Sequence, residues 1–464
     1  FKHSFIMHPI EQALTLSISK HPTMPLVVAY SGGVDSQVLL HALAKVKHAK
    51  QTSHLISQSI VVCHVNHGIS DKAKQWQDFA KLQCQQVNLP ITVFQVNVQP
   101  QPQQSLEALA RDARYKALQS ISTEPMMIIT GHHSDDQAET FLLALKRGSG
   151  LKGLAAMATN TKQGKDLLVR PLLNISRAQI VDYAKLHGLS WVEDESNLDT
   201  RFDRNFIRND IMPLLTKRWP SIVNTMNRSS EHCQEGQLLL DELAEQDLQL
   251  CQHEHDSLVI KALSQLSIAR FNNLIRYFLA LHQCLMPSRE QLAQLQQQLN
   301  ANDDKNPTVK LGDHYCRRYR GVLYLTPDFN KVDHWQAEID LNCEKTVVAL
   351  PDSLGELTVM ISSLQCPESR ACLESKDYLI AMPAKSTKVN LRFSHDNSTC
   401  LPDYRHHSRS LKKVLQELNI PTWQRKRIPF LYYDEVLVAA IGYFVCQPFL
   451  PQENEPSLKI TLTP

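Results

Sequence analysis

Long apolar segments are missing from this chain of 464 residues. No apolar run approaches the roughly 20 residues that a transmembrane helix needs, so we expect a soluble protein. The sequence also shows no charged-then-apolar signal pattern after Phe1. We therefore expect a cytoplasmic protein with no membrane partner.

Cysteine pairs at metal or redox spacing are missing as well. The eleven cysteines are scattered, and Cys366 and Cys372 are the closest two. Free buried thiols are therefore the better interpretation. The net charge is only +2. A surface that binds nucleic acid would therefore have to come from local clustering of basic residues.

A glycine loop lies near the N-terminus, where residues 26–36 read Leu-Val-Val-Ala-Tyr-Ser-Gly-Gly-Val-Asp-Ser. The apolar run is too short for a helix, and helical periodicity starts at Gln37, so the segment predicts a strand, a loop and a helix. Such a loop can cradle phosphate with backbone amides and the positive end of a helix. It lacks the Gly-Lys-Ser/Thr of a P-loop, which favours pyrophosphate as a leaving group. An ordinary strand-to-helix turn is the alternative.

Strands and helices alternate through the N-terminal half. Strands are predicted at 26–30, 60–68, where the strand ends in a polar turn, 91–98, 126–130 and 167–173, and helices at 71–88 and 105–121, with Ser105 as an N-cap. This alternation predicts an α/β fold with a doubly wound parallel sheet. The ligand should lie at the carboxyl ends of the strands.

Two carboxylates follow the fourth predicted strand, in residues 131–140. If Ser134 caps the next helix, Asp136 and Glu139 lie three residues apart on one helical face. Such a pair could hold Mg²⁺ beside phosphates. Alternatively, acids in a first turn simply complement the helix dipole, which is the interpretation we prefer for Asp135.

Further polar side chains fall near the same edge of the sheet. Arg111 and Arg114 lie on one face of the helix predicted at 105–121, where they could neutralise phosphate or RNA, or could form a solvated face. His132 and His133 could contact a ligand or merely close a turn.

Together these motifs resemble the tRNA(Ile)-lysidine synthetases, a family of N-type ATP pyrophosphatases. The resemblance covers nearly all of residues 24–220. It is carried by Ser-Gly-Gly-Val-Asp-Ser at 31–36, His-Val-Asn-His-Gly at 64–68, Glu-Ala-Leu-Ala-Arg-Asp-Ala-Arg-Tyr at 107–115, Gly-His-His-Ser-Asp-Asp-Gln-Ala-Glu-Thr at 131–140, and shorter matches at 147–154, 170–173, 191–197 and 201–209.

The resemblance implies a Rossmann-like PP-loop ATPase domain with a defined set of site residues. ATP would be bound by Ala29, Ser31, Gly32, Gly33, Val34, Asp35, Ser36, His64 and Gly131. Mg²⁺ would be held by Asp35, Asp136 and Glu139. These three carboxylates, with Arg111, Arg204 and Arg208, would be catalytic.

Arg204 and Arg208 lie four residues apart, so both can face one anion. The resemblance implies that their segment closes over the nucleotide and the target base. Alternatively, it is a charged loop tethered by acids such as Asp194 and Asp199.

The rest of the chain predicts two further domains. We expect a catalytic domain at 1–218, a small helical domain at 219–326, a linker at 327–336 and a C-terminal α+β domain at 337–464. Within the last domain, strands are predicted at 346–350, 357–361, 389–393, 436–441 and 458–462, and a helix at 410–418.

Two basic stretches lie in these domains. Residues 315–320 alternate basic and aromatic side chains, which suits RNA or an amphipathic strand. Residues 405–427 contain seven Lys or Arg and one acid, which suits phosphate binding or a solvated face. The second stretch resembles the C-terminal tRNA-docking domain of longer lysidine synthetases. We predict tRNA contacts at Arg114, Arg201, Arg317, Arg318, Lys412, Lys413, Arg425, Lys426 and Arg427.

The resemblance also implies a reaction. ATP would adenylate C2 of the wobble cytidine in tRNA(Ile) with a CAU anticodon, and free L-lysine would then displace AMP, which changes decoding from AUG to AUA. The lysine amine must lose a proton, and Asp35, Asp136 or Glu139 could assist. A tRNA thiolase and a non-catalytic RNA-binding protein are the alternatives, although no Cys-x-x-Cys occurs. The oligomeric state stays open.

Overall fold

The computed structural model describes residues 7–49, 52, 55–66, 68, 72–96, 106–299, 308–362, 377–452 and 455–463. The predicted cap Ser105, the pair Cys366 and Cys372, and residues 67, 71, 97 and 98 of predicted elements lie outside these ranges. The nine cysteines inside them are free, and seven are buried. None of the helices in these ranges is long and apolar enough to cross a membrane. The chain divides into two compact units, at 1–242 and 243–464.

The first unit is built from alternating strands and helices. Its elements are α1 (Pro9–Ile18), β1 (Leu26–Ala29), α2 (Val34–His48), β2 (Ile60–Asn66), α3 (Ala73–Gln86), β3 (Ile91–Gln95), α4 (Leu106–Gln119), β4 (Met127–Ile129), α5 (Ser134–Lys146), α6 (Leu151–Leu154), β5 (Asn160–Gln163), β6 (Asp166–Val169), α7 (Arg177–Leu186), α8 (Asp203–Phe206), α9 (Met212–Arg218) and α10 (Ile222–Cys251), the last of which continues into the second unit.

The sheet of the first unit confirms the predicted doubly wound fold. Its strand order is β3-β2-β1-β4-β6-β5, and every pair except β5–β6 is parallel. The order reverses between β1 and β4, and ligands of such sheets bind at this reversal. The antiparallel edge strand β5 was not predicted, because its sequence Asn-Thr-Lys-Gln has no apolar residue to signal burial.

Helices cover both faces of this sheet. The strand residues Leu26 and Val28 pack into one apolar cluster with Ile10, Val38 and Ile180 from α1, α2 and α7. The intervening residue Val27 packs on the opposite face with Leu118 of α4. Because β1 is buried on both faces, its sequence is continuously apolar rather than alternating.

The second unit begins with helices and a five-stranded antiparallel sheet. Its first elements are β7 (Gln252–Glu254), β8 (Ser257–Val259), α11 (Ile260–Leu263), α12 (Ile268–Leu281), α13 (Arg289–Leu299), β9 (Thr308–Leu311), β10 (His314–Tyr319) and β11 (Val322–Pro327). The helices were predicted, but the sheet, in order β7-β8-β11-β10-β9, was not. The stretch 315–320 forms the edge-adjacent strand β10, one of the two interpretations that its sequence left open.

The remainder of the second unit is rich in strands, as predicted. Its elements are β12 (Gln336–Glu338), β13 (Lys345–Ala349), β14 (Glu356–Ser362), β15 (Asp377–Ala381), β16 (Val389–Arg392), β17 (Thr399–Cys400), β18 (Arg409–Ser410), α14 (Leu411–Glu417), α15 (Thr422–Arg425), β19 (Phe430–Tyr433), β20 (Val436–Ala440), β21 (Phe444–Val445) and β22 (Ser457–Thr463). The larger sheets run β12-β16-β19-β20-β21 and β13-β14-β22-β15. The five strands and the helix predicted here are all present.

Candidate active site

The loop between β1 and α2 is closed on itself by one hydroxyl group. The backbone amides of Ser31 and Gly32 donate to Ser36 Oγ at 3.3 and 3.1 Å, and this oxygen donates to the Gly33 carbonyl at 3.0 Å. Gly32 has a φ of +92°, which side chains rarely adopt. The predicted strand, glycine loop and helix are therefore present, with the loop held in a fixed shape.

Gly131 brings the end of β4 against the start of α2. A Cβ atom at this position would lie 3.0 Å from the carbonyl carbon of Asp35 and 3.2 Å from the amide nitrogen of Ser36. Only glycine permits this approach of two backbones without displacing one of them. The loop at 31–36 and the motif at 131–140 consequently meet at one edge of the sheet.

A cavity of about 700 Å³ opens at this edge. Its volume lies within the range of small-molecule sites, roughly 300–1,000 Å³. Of the residues predicted for the site, the following line the cavity: Ala29, Ser31, Asp35, Ser36, His64, Arg111, Arg114, Gly131 and Asp136. Val34 instead lies in the apolar core beneath the loop.

Asp35 is the carboxylate of the cavity with an unsatisfied oxygen. Its Oδ1 is buried without a hydrogen-bond partner and lies 3.6 Å from Nε2 of His133. Its Oδ2 lies 3.4 Å from Nη1 of Arg177. Burial raises the pKa of Asp35, aided by the nearby carboxylate of Asp136, although His133 and Arg177 oppose the rise.

Two guanidinium groups hold the other two predicted carboxylates. Arg208 donates to Glu139 at 2.6 and 2.8 Å and to Asp136 Oδ1 at 2.9 Å. Arg204 donates to Glu139 at 3.0 Å and to Asp136 Oδ1 at 3.3 Å. Burial would raise the pKa of Asp136, but the positive charges of His133 and Arg204 outweigh burial and lower it.

The start of α5 corrects one detail of the sequence analysis. Its N-cap is His133, whose backbone amide donates to Asp136 Oδ2 at 3.1 Å. Ser134 is the first helical residue, not the cap. Asp136 and Glu139 still share a helical face, as the three-residue spacing required, because both bind the same two arginines.

The carboxylates differ in how well they suit a divalent ion. Mg²⁺ takes oxygen ligands, and Asp35, whose Oδ1 accepts no hydrogen bond, lines the cavity together with Asp136. Glu139 accepts hydrogen bonds on both oxygens from Arg204 and Arg208. Asp136 also accepts on both oxygens, from the two arginines and from the His133 amide, but unlike Glu139 it lines the cavity. Across the described ranges, no group of three or more His, Cys, Asp or Glu side chains is arranged to hold a metal ion. Asp35 and Asp136 therefore fit the ion only if phosphate or water oxygens complete its coordination.

The three histidines near the cavity have different roles. His64 Nδ1 donates to the Tyr30 carbonyl at 3.1 Å, and burial lowers the pKa of this ring. His132 lines the cavity and contacts Thr130 Oγ1 at 2.8 Å, and burial lowers its pKa too. Burial would also lower the pKa of His133, but the acids around it, Asp135 foremost, raise it. His64 and His132 are thus neutral lining groups, whereas His133 lies among carboxylates.

Sequence reasoning missed several residues of the site. Arg177 is 142 residues from Asp35 in the chain, and no sequence pattern connects them. Lys72 and Glu195 line the cavity and form an ion pair. Glu195 lies in the motif at 191–197, so the sequence could have placed this residue at the site. Arg201, by contrast, is 88% exposed, pairs with Asp199 at 2.7 Å and does not line the cavity.

The arginines predicted to bind tRNA in the second unit are engaged within the protein. Arg318 is buried and donates to the carbonyls of Gln298 and Leu299 at 2.9 and 3.2 Å. It therefore holds the end of α13, and its burial does not fit the predicted tRNA contact. Arg317 donates to Thr326 Oγ1 at 2.8 Å and lies over the Trp423 ring, 5.7 Å from its centroid.

Residues 405–427 contain both engaged and exposed cations. Arg425 donates to the Ile420 carbonyl at 2.8 Å, and Arg427 pairs with Asp352. The three predicted lysines of this stretch are exposed: Lys412, Lys413 and Lys426. These lysines remain the best candidates there for contact with a phosphate backbone.

Family models match three regions of the chain. They are described as a PP-loop domain at 7–215, a TilS substrate binding domain at 258–324 and a TilS substrate C-terminal domain at 389–462.

Curated proteins are similar over almost the whole chain. The tRNA(Ile)-lysidine synthase of Vibrio vulnificus strain CMCP6 is 42% identical over 434 residues, which cover 93% of this chain and 94% of that protein. The tRNA(Ile)-lysidine synthase of Coxiella burnetii is 37% identical over 443 residues, which cover 94% and 93%. Among solved structures, the U34-tRNA thiolase NcsA from Methanococcus maripaludis aligns with a TM-score of 0.40 at 17% identity, covering 49% of this chain and 78% of that one.

Proposed function

The chain belongs to the tRNA(Ile)-lysidine synthase family, and we propose that the cavity at the carboxyl edge of its parallel sheet is where the reaction takes place. The protein is a ligase that forms a carbon–nitrogen bond, uses ATP and has a tRNA substrate. The observation that supports this location is the meeting of the 31–36 loop, Asp136, Arg111 and Arg114 around one cavity large enough for a nucleotide.

The proposed reaction has two steps. The C2 carbonyl oxygen of the wobble cytidine, in a tRNA(Ile) with a CAU anticodon, attacks the α-phosphate of ATP and releases pyrophosphate. The amine of free L-lysine then attacks C2, and the C2–O bond breaks as AMP leaves. We propose the cytoplasm as the compartment of this reaction.

Different residues of the cavity would contact different parts of ATP. The loop residues Ser31, Gly32, Gly33, Asp35 and Ser36 would face the phosphates, with Val34 packed in the core beneath them, and Ala29, His64 and Gly131 would border the nucleotide. Arg111 and Arg114 line the cavity and would balance phosphate charge. Arg204 and Arg208 would set the positions of Asp136 and Glu139 through the ion pairs described above.

A magnesium ion would be held by Asp35 and Asp136. When bound, it would neutralise charge that develops on the departing pyrophosphate. Glu139 would not contact the ion. It would orient Arg204 and Arg208, the two arginines that also contact Asp136. We therefore propose Glu139 as a residue that positions its neighbours rather than as a direct ligand.

A thiolase reaction would need a reactive cysteine at the same cavity. Cys63 lines the cavity, but burial raises the pKa of its thiol to about 12. A thiol with such a pKa is almost fully protonated near neutral pH and is a poor nucleophile. The cavity thus favours ligation of an amine over sulfur transfer.

The test is incorporation of labelled lysine into unmodified tRNA, with and without ATP. We expect label in tRNA only when ATP is present, with pyrophosphate and AMP released in equal amounts. Incorporation of labelled sulfide in place of lysine would support the thiolase. An absence of tRNA-dependent pyrophosphate release would support a non-catalytic RNA-binding protein and overturn the proposal.

A further inference from the structure

A second pocket lies at the corner between α9 and α10. It has a volume of about 530 Å³ and is lined by Arg218, Trp219, Pro220, Ser221, Ile222 and Thr225. The Trp219 side chain is 53% exposed. Large aromatic side chains are usually more deeply buried, so an exposed ring beside a pocket is available for contact with a ligand.

This corner is fixed to the helix that carries Asp136 and Glu139. Ile222, at the start of α10, packs into an apolar cluster with Leu142 of α5. One turn further, Asn227 Nδ2 donates to the backbone carbonyl of Ser134, the first residue of α5, at 3.1 Å. A molecule in the pocket would therefore lie on the same rigid framework as the active-site carboxylates.

The charge of the surrounding chain selects the kind of partner. Residues 201–218, which lead into the pocket, contain five cations and two carboxylates. Arg201, Arg204 and Arg208 are paired with Asp199, Asp136 and Glu139, whereas Lys217 and Arg218 directly precede Trp219. An aromatic ring preceded by two adjacent cations, one of which lines the pocket, suits an unstacked base and its phosphate, because RNA loops are recognised by stacking and cationic contacts.

We propose that this pocket receives a nucleobase of the tRNA anticodon loop adjacent to the modified cytidine, stacked on Trp219, with Arg218 against its phosphate. The proposal rests on the proposed function, because a cytidine that enters the cavity leaves the stack of the loop. Its neighbour then loses a stacking partner, and the Trp219 ring replaces it.

The experiment measures binding of an anticodon stem-loop RNA to the full-length protein. The RNA carries 2-aminopurine beside the wobble cytidine, so its fluorescence reports stacking of that base. We expect quenching on the wild-type protein and its loss with Trp219→Ala. Affinity should fall about 5-fold to 150-fold, the range for loss of one base–aromatic stack. Trp219→Phe, which keeps a ring, should retain most of the affinity.

A folding control and a lysine ligation assay distinguish failure of this inference from failure of the proposed function. ATP affinity of Trp219→Ala should equal that of the wild type, which shows that the variant is folded. If Trp219→Ala keeps full RNA affinity and quenching while the wild type ligates lysine, the inference is wrong, and the pocket serves a protein partner or none. If the wild type fails to ligate lysine at all, the proposed function is wrong instead.

Discussion

Arg208 donates two hydrogen bonds to Glu139, from Nε to Oε1 at 2.6 Å and from Nη2 to Oε2 at 2.8 Å. The Glu139 side chain is 3% exposed, so this contact replaces nearly all of its hydration. Such a pair contributes little net free energy of unfolding when intact, but removal of Glu139 leaves Arg208 with Asp136 as its remaining carboxylate partner.

We expect Glu139→Gln to lower the free energy of unfolding by less than the about 3–5 kcal/mol of a broken, fully buried pair, because Arg204 and Arg208 keep Asp136 as a partner. The double variant Glu139→Gln with Arg208→Gln should recover part of this loss, since neither charge is then left alone. Urea unfolding of these two variants and of the single variant Arg208→Gln measures the coupling. Losses that simply add would mean that the two residues act independently.

Replacement of Asp35 by Asn should abolish tRNA-dependent formation of AMP while the fold survives. The amide keeps the shape of the side chain but removes the charge that a divalent ion would need. Circular dichroism and an AMP assay measure the two effects. Asp203→Asn, the same change at the exposed partner of Lys146, is the matched control and should keep activity. Full activity of Asp35→Asn would remove Asp35 from the chemistry.

Gly131→Ala should destabilise the first unit and weaken ATP binding together. Its Cβ would press on the Asp35 backbone from 3.0 Å, where no flexible side chain can yield. Overpacking of this kind costs about 1–3 kcal/mol. Gly150→Ala is the control, because a Cβ there meets no atom within 4 Å. Calorimetric titration with ATP and thermal unfolding provide the measurements, and equal behaviour of the two variants would contradict the prediction.

The buried Glu11 predicts a pH dependence of stability. It accepts hydrogen bonds from Lys45 at 2.8 Å and Tyr183 at 3.0 Å. Burial alone would raise its pKa, but these partners outweigh burial and hold the pKa below the ordinary value of 4.5. The stabilisation is therefore present above pH 4.5 and is lost as the pH falls through the folded-state pKa. The stability difference between wild type and Glu11→Gln, measured by urea unfolding from pH 3 to 7, should shrink only at the acidic end.

Replacement of Arg318 should lower stability, whereas replacement of Lys412 should weaken tRNA binding. Arg318→Gln removes charged donors to two carbonyls at the end of α13 and should cost about 1.5–3 kcal/mol of stability. Lys412→Ala, at an exposed position, should leave stability unchanged and weaken tRNA binding in a salt-dependent manner. Thermal unfolding and tRNA titrations at two salt concentrations distinguish them. Weaker tRNA binding by a fully stable Arg318→Gln would mean that Arg318 contacts tRNA and has no structural role.

The parts that sequence patterns predicted are those where local chemistry decides the structure. Continuous apolar strands, the glycine loop at 31–36 and the three-residue spacing of Asp136 and Glu139 each follow from short segments. Strand β5 escaped prediction, because a short polar strand derives its stability from distant partners rather than from its own sequence. The sheet around β10 escaped it as well, because its short strands pair across helices that separate them in the chain, which local patterns do not report.

The sequence patterns did not predict which side chains contact one another. Glu139 has the residue type and spacing of a magnesium ligand, yet Arg204 and Arg208 occupy its oxygens. Arg318 stands in a stretch typical of RNA binding, yet the fold buries it. In both cases the decisive contact spans a distance along the chain that periodicity does not report.

The hydroxyl of Ser36 already sits where two amides of the glycine loop converge. An arriving phosphate oxygen would therefore exchange one acceptor for another, instead of ordering a loose segment. Most of the entropic cost of shaping the loop is met during folding, so more of the nucleotide's interaction energy is left for affinity.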